Sequence, residues 1–106
     1  MANSNVVNLY PVPTEGTTME RLTVNDATGD TGDSFQTTYS DLTKYIVLDV
    51  QKADVFVSYT GSPTSILGHR LYAGRSYTWS KKAAQAAKFI KTGSTDAHIH
   101  ATEFTQ

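Results

Sequence analysis

Short stretches of alternating apolar and polar residues mark the second half of this chain, and a period of two along the sequence is typical of β-strands. These stretches cover residues 45–50, 54–60, 76–80 and 97–104. The first is almost wholly apolar, which predicts a strand covered on both faces. Residues 51–53, between the first two stretches, are few enough for a hairpin or a bulge. The pattern therefore predicts four strands in this half.

The residues between the third and fourth stretches fit two structures. A helical stripe is formed by Ala83, Ala86, Ala87 and Ile90. Residues 87–92 also alternate as in a strand. Ser80 is a possible N-cap and Gly93 a possible C′ residue of a helix. We predict a short helical turn over residues 82–86 and then a strand, with residues 92–96 turning in a hairpin into the last strand.

The first part of the chain differs in composition, because residues 1–43 are rich in Thr, Asn, Asp, Gly and Ser. Such a segment buries little apolar surface by itself, which indicates an arm that becomes ordered against neighbouring subunits. We therefore predict an extended N-terminal arm and loop-rich first strands over residues 1–43, and an antiparallel β-sandwich core over residues 44–106. The predicted fold class is all-β, a small β-sandwich or jelly-roll-like domain with at most one short helical turn.

Composition and charge narrow the function. Hydrophobic residues make up 39% of the 106 residues, below the ~45–50% usual in globular domains. A thin core follows, which suits two thin sheets and self-association. The formal net charge of −1 provides no basic excess for nucleic acid, and no apolar run approaches the ~20 residues of a membrane helix. The chain has no cysteine, so disulfides and thiolate metal sites are excluded. We expect neither nucleic acid nor a membrane as partner.

A loop-like run contains three aspartates that invite a calcium hypothesis, since hard cations prefer clustered carboxylate oxygens. They are Asp26, Asp30 and Asp33. The calcium-loop pattern D-x-[DN]-x-[DN]-G followed by a bidentate Glu is absent. Small polar turn-forming residues explain the run without a metal.

A second metal hypothesis rests on the H-x-H pair of His98 and His100. With the following Glu103, the pair resembles the first cupin motif, and histidines two apart on a strand share one face. Glu103 is an odd number of residues from both, so it points to the opposite face. His69 is a candidate third ligand, although nothing in the sequence brings it near. We expect no metal and no cofactor.

Catalytic patterns are absent from the sequence. There is no G-x-S-x-G nucleophile elbow, no phosphate-binding loop and no dinucleotide fingerprint. Scattered acidic residues do not define a glycosidase pair either. We therefore expect no catalytic residues and no enzymatic activity.

Four aromatic residues lie on or near the predicted strands, with Tyr77 and Trp79 expected on one face. The set consists of Tyr59, Tyr72, Tyr77 and Trp79. Flat rings suit the C–H faces of sugars, so these side chains could form a carbohydrate platform. The alternative is that they pack the sandwich or a seam between subunits.

Six short segments of the chain share a pattern of short strands and turns: 54–65 (DVFVSYTGSPTS), 68–69 (GH), 73–74 (AG), 87–91 (AKFIK), 93–94 (GS) and 101–104 (ATEF). In these segments the chain resembles small structural proteins of tailed bacteriophage virions. The resemblance covers about residues 54–104 and implies a β-sandwich or jelly-roll-like domain that decorates or joins the capsid or tail. It also implies that the K-F-I strand pairs with the last strand.

The resulting hypothesis is a non-enzymatic virion protein, a capsid decoration or cement protein made in the host cytoplasm. The expected partners are the major capsid protein or other virion proteins and further copies of the chain, with a trimer as the expected oligomer. Strand 97–104 is expected to add to a partner's sheet. Expected interface residues are Val6, Val7, Leu9 and Tyr10 in the arm, and Tyr72, Tyr77 and Trp79 among the aromatics. The alternatives are a carbohydrate-binding β-sandwich module and a small cupin-like metal-binding protein.

Overall fold

The computed structural model describes residues 19–104, which contain seven β-strands and one helix. The elements are β1 (Met19–Val24), β2 (Tyr45–Gln51), β3 (Val55–Ser58), β4 (His69–Leu71), β5 (Ser76–Trp79), α1 (Lys81–Ala86), β6 (Lys88–Lys91) and β7 (Ala97–Phe104). The strands form a four-stranded sheet of order β1-β7-β2-β5 and a three-stranded sheet of order β4-β3-β6. All pairings are antiparallel. The expectation of an all-β domain with one short helix is confirmed.

The core is built by the strand faces that the two sheets turn toward each other. Its members come from both sheets: Leu22, Val24, Ile46, Leu48, Val50, Val55, Val57, Leu71, Phe89, Ala97, Ile99 and Ala101 are strand residues, joined by Tyr39, Ala84 and Ala87. In β2, Val47 is only half-buried and Asp49 is exposed. The strand is therefore fully covered on one face rather than on both.

The connection between β2 and β3 crosses from one sheet to the other, so the predicted hairpin or bulge at residues 51–53 is wrong. The N–H of Ala53 donates to the carbonyl of Gln51 at 2.9 Å. Lys52 has a φ of 74°, as the central residue of a γ-turn with positive φ does. This turn redirects the chain and lets Val50 and Val55 enter the core from opposite sheets.

The predicted hairpin between residues 87–92 and the last strand is also wrong. β6 pairs with β3, whereas β7 pairs with β1 and β2. The pairing of the K-F-I strand with the last strand, which the phage resemblance implied, is wrong for the same reason. Residues 92–96 cross between the sheets, so that Phe89 and Ile99 fill the core from its two sides.

β7 lies in the interior of its sheet, between β1 and β2. Both of its edges are therefore hydrogen-bonded within the domain. The expectation that strand 97–104 adds to a partner's sheet is wrong, because strand addition needs a free edge. The small and aliphatic residues of its inner face, Ala97, Ile99 and Ala101, are all buried.

The strand β4 was not anticipated, since residues 60–74 resemble a connection rich in turn residues. It has only three residues, of which Leu71 alone is buried. An alternation that short has no detectable period. Its pairing with β3 across the Val55–Leu71 register supplies the contact that makes it a strand.

The predicted helical turn and its cap are confirmed. The hydroxyl of Ser80 accepts a hydrogen bond from the N–H of Ala83 at 3.1 Å, and Ala84 is the buried residue of α1. The helix ends at Ala86, because Ala87 is already extended. Gly93 is therefore not its C′ residue, and that expectation is wrong.

Replacing the N-cap by Ser80→Ala is expected to lower the free energy of unfolding by about 1 kcal/mol, because the N–H of Ala83 loses its acceptor at the start of a short helix. Urea denaturation measures the loss. Ser94→Ala, in an exposed turn, is the matched control. Equal losses in both variants would contradict the capping role.

The polar segment between β1 and β2 closes one side of the sandwich. The carboxylate of Glu20 accepts hydrogen bonds from the N–H groups of Gln36 and Thr37 at 2.9–3.1 Å. Further along, the Thr43 hydroxyl donates to the buried Glu103 carboxylate at 2.6 Å. Burial, with the nearby Glu20 and Glu103 carboxylates, raises the pKa of Tyr39 to about 12. Residues on both sides of position 43 thus share one core, while the division of the chain into arm and core stays a prediction.

Candidate interaction surface

A hydrogen-bonded turn between β3 and β4 presents two aliphatic side chains to solvent. The Thr64 hydroxyl accepts from the N–H groups of Ile66 at 3.2 Å and Leu67 at 2.8 Å, and the Thr64 N–H donates to the Leu67 carbonyl at 3.1 Å. Ile66 is 87% exposed and Leu67 is 73% exposed. We call this turn, residues 64–67, the apolar turn. These hydrogen bonds within the turn fix its backbone, so the two side chains are exposed on an ordered segment.

The apolar turn lies against the three-stranded sheet, on the side that points away from the core. Pro63, next to it, is fully buried. On its other side, a Cβ at Gly68 would lie 3.1 Å from the Thr64 carbonyl oxygen and 3.3 Å from the Phe56 Cβ. Because such contacts are too tight for a side chain, glycine allows the backbone to approach the sheet. Both ends of the turn are thus attached to the domain.

A groove of about 630 Å³ runs beside the apolar turn. It is lined by Tyr59, Ile66, Leu67 and His69, among others, and by Ser58 and Ser62. Tyr59 is 37% exposed, and burial of the remainder raises its pKa. The Tyr59 ring also borders a smaller groove of about 340 Å³ against α1. Tyr59, which was not among the aromatic residues expected at an interface, therefore lines both grooves.

Charged side chains are missing from the apolar turn and the larger groove, apart from the titratable His69. Residues 55–68 contain no Asp, Glu, Lys or Arg, although charged residues make up 18% of the chain. The nearest charged pair is Asp54 with Arg70, joined at 2.7 Å. The Asp54 carboxylate also accepts from the Ala73 N–H, and these two hydrogen bonds, the backbone one first, lower the pKa of Asp54. This ion pair supports the base of the loop rather than the apolar turn.

The three aromatic residues expected at an interface differ in how far they are exposed. Trp79 is half-buried, stacked on Phe89 with ring centroids 5.9 Å apart. The Tyr77 hydroxyl accepts from the Tyr72 N–H at 2.9 Å, and the Tyr72 ring is 49% exposed. Of the three, Tyr72 is thus the most accessible, and an interface role for each stays a prediction. Val6, Val7, Leu9 and Tyr10 lie outside the described residues.

A flat carbohydrate platform is not formed by Tyr59 and Trp79. Their rings meet edge to face, with an interplanar angle of 65°. Tyr72 lies apart from them, between the guanidinium groups of Arg70 and Arg75, each 5.6 Å from its ring centroid. The rings therefore serve packing and cation–π contacts in the described residues.

The histidines of the H-x-H pair do share one face of β7, as their spacing predicts. Glu103 lies on the opposite, core-facing side, and His69 belongs to the other sheet. Within residues 19–104, no group of three or more His, Cys, Asp or Glu side chains is placed to hold a metal ion. The aspartates of the polar loop instead accept backbone hydrogen bonds, Asp33 from Asn25 at 2.8 Å and from the next N–H at 3.0 Å.

His98 has a lowered pKa. Burial is the first cause, and the neighbouring charges of Arg21 and Lys52 add to it. The His98 Nδ1 lies 3.3 Å from the Thr23 hydroxyl. The folded state therefore binds a proton at His98 less readily than the unfolded chain, where the ordinary value of 6.5 applies.

Because the folded pKa of His98 lies below the unfolded value, we expect the free energy of unfolding to fall on acidification below about pH 6.5. Well above that pH neither state is protonated at His98 and its contribution is constant. Urea midpoints measured from pH 7.5 to pH 5 should decline less in His98→Gln than in the wild type. His69→Gln, on the other sheet, is the control. An identical decline in His98→Gln and the wild type would contradict the assignment.

A serine, an aspartate and a histidine also lie side by side on the four-stranded sheet. Asp49 pairs in register with His100 on one side and Ser76 on the other. The Ser76 hydroxyl donates to the Asp49 carboxylate. A nucleophilic triad requires the histidine between the other two, so this order does not activate the serine.

No protein-family model, no curated protein and no solved structure matches the chain. The only helix among residues 19–104 has six residues, so none there is long and apolar enough to cross a membrane. The fold and the surface together define a small all-β domain with two antiparallel sheets and an exposed apolar turn.

Proposed function

We propose that this protein is a non-enzymatic structural protein of a tailed-phage virion, in which it decorates the capsid by binding the shell protein. The observation that carries the proposal is the exposure of Ile66 and Leu67, 87% and 73%, at the tip of an ordered turn. Ordered aliphatic side chains in water are typical of residues that a partner covers. The resemblance of residues 54–65 and 68–69, on either side of the two tip residues, to small virion proteins supports the choice of partner.

Binding through the apolar turn is a matter of hydrophobic burial. Two aliphatic side chains offer little area compared with the roughly 800 Å² that each partner contributes to a standard interface. The turn therefore fits a pocket on a larger partner better than a second copy of itself. Residues 55–68 contain no Asp, Glu, Lys or Arg, and the titratable His69 comes directly after them. The contact should therefore depend weakly on salt.

Co-sedimentation with emptied tailed-phage capsids tests this function. The wild-type protein is expected to pellet with the capsids, to saturate at a fixed ratio to the shell subunits, and to bind similarly at 50 mM and 500 mM NaCl. Binding that does not saturate, or that disappears at the higher salt concentration, would contradict the proposal. So would the absence of binding to every capsid tested.

A carbohydrate-binding module is the second candidate, favoured by the groove that Ser58, Tyr59 and Ser62 line together. An aromatic face next to hydroxyl groups suits a sugar ring. The half-buried stack of Trp79 on Phe89 weighs against it. Isothermal titration with oligosaccharides separates the two candidates, because saturable sugar binding without capsid binding would favour the second.

A further inference from the structure

The outer face of the four-stranded sheet, which points away from the core, carries three rows of side chains across β1, β7 and β2. In each row, the residues are directly paired across neighbouring strands. The rows are Met19–Thr102–Val47, Arg21–His100–Asp49 and Thr23–His98–Gln51. We refer to this surface as the outer face.

Within residues 19–104, Arg21 and Asp49 on the outer face have no partner of opposite sign. Arg21 is exposed and has no hydrogen bond or ion pair among the described residues. Asp49 is exposed and accepts a hydrogen bond from the neutral Ser76 hydroxyl. His100 lies between the two, which places their backbones two strand spacings, about 10 Å, apart. Arg21 and Asp49 can therefore each form an ion pair with a partner that presents the same two charges in reverse order.

We propose that the outer face binds the same face of a second copy of this chain, about a two-fold axis that runs along β7. Such an axis exchanges the β1 and β2 sides of the sheet. Each row then lies opposite the same row of the second copy, read in the opposite order. Arg21 therefore lies opposite Asp49 of the second copy, and Asp49 lies opposite its Arg21. In the other two rows, Met19 meets Val47 of the second copy and Thr23 meets its Gln51.

The match extends over all three rows, which is why a second copy is the occupant. An apolar end faces an apolar end, a cation faces an anion, and a hydroxyl faces an amide. Met19, 66% exposed, becomes covered. The residues on the axis, Thr102, His100 and His98, meet their own counterparts, as an isologous interface requires.

The distances between packed sheets also fit. Sheets that pack face to face lie about 10 Å apart with their mean strand directions within about 30° of each other, and the two parallel β7 strands meet that condition. A long arginine opposite a short aspartate spans such a gap, whereas two arginines or two aspartates would not pair. The resulting assembly is a dimer rather than the trimer expected from the sequence. It leaves the apolar turn accessible, because that turn belongs to the other sheet.

Sedimentation equilibrium of the purified protein tests the contact. The wild type is expected at twice the monomer mass of 11.6 kDa. Arg21→Glu and Asp49→Lys should each be monomeric at the concentration where the wild type is dimeric, because each brings like charges together. An equimolar mixture of the two variants should return to twice the monomer mass, because each contact then joins opposite charges. The two substituted positions face each other in one contact, and the native Asp49 and Arg21 face each other in the other.

Charge reversals elsewhere serve as controls. Lys82→Glu on α1 and Asp41→Lys before β2, both exposed, should remain dimeric. Met19→Asp should weaken the dimer without touching the ion pairs, since it places a carboxylate against Val47. A wild-type monomer or trimer would overturn the proposal. So would variants that stay dimeric, or a mixture that stays monomeric. None of these results bears on capsid binding through the apolar turn.

Discussion

Phe89→Ala is expected to lower the free energy of unfolding by about 3–5 kcal/mol, the usual cost of truncating a buried phenylalanine. Phe89 is fully buried and connects the two sheets, since its own strand belongs to the three-stranded sheet while Trp79 stacks on it from the four-stranded one. Phe35 also meets its ring edge-on at 5.4 Å. The alanine variant loses both ring contacts and leaves a cavity that two separate sheets cannot easily close.

Urea denaturation followed by tryptophan fluorescence measures this loss, because Trp79, the single tryptophan, stacks on the altered position. Phe56→Ala, on the opposite and half-buried face of the same sheet, is the matched control and should cost less. If the alanine variant is unfolded in water, Phe89→Leu should fold with an intermediate loss. Similar losses in Phe89→Ala and Phe56→Ala would contradict the role of Phe89 as the contact between the sheets.

Replacing both tip residues of the apolar turn, by Ile66→Ser with Leu67→Ser, should weaken capsid binding by about 100-fold or more. Full burial of one such side chain contributes about 1.5–3 kcal/mol. The pair therefore contributes at least about 3 kcal/mol, and every 1.4 kcal/mol or so corresponds to a tenfold change in affinity. The free energy of unfolding should change by less than about 0.5 kcal/mol, because both side chains are exposed in the free protein.

Leu42→Ser is the matched control for this variant, since Leu42 is 73% exposed, as Leu67 is. It removes an apolar area similar to that of Leu67 from another part of the surface and should bind capsids like the wild type. Co-sedimentation over a range of protein concentrations measures the affinities. Equal weakening by the control and the double variant would mean that binding depends on general hydrophobicity, and unchanged binding of the double variant would exclude the apolar turn as the contact.

Local patterns predicted the strands and the helix well where the pattern extended over enough residues. The alternation in residues 76–80 placed Tyr77 and Trp79 on one face of β5, as the structure has them. Ser80 and the alanines after it predicted the capped start of α1. A helix cap depends on the N–H groups of the next turn alone, so neighbouring residues suffice to predict it. β4 was missed because three residues do not define a period.

Strand pairing could not be predicted in the same way. Residues 51–53 and 92–96 look like hairpin turns, yet both carry the chain between the sheets. The choice depends on which pairing buries Phe89, Ile99 and the other inward residues together, and that is a property of the whole core. The candidate site shows the same limit, because glycines and a proline predicted turns in residues 60–74 but not that Pro63 would be buried while Ile66 and Leu67 stay in water.

By itself, the sequence determined the all-β class, most strand positions, the capped helix and the absence of thiol chemistry, since these depend on residue type and short-range periodicity. Only the tertiary structure decided the strand order, the central place of β7, the exposure of the apolar turn and the rows of the outer face. The physical reason is the distance along the chain over which each interaction acts. A strand's period is set by residues two apart, whereas pairing and exposure are set by burial shared among residues distant along the chain.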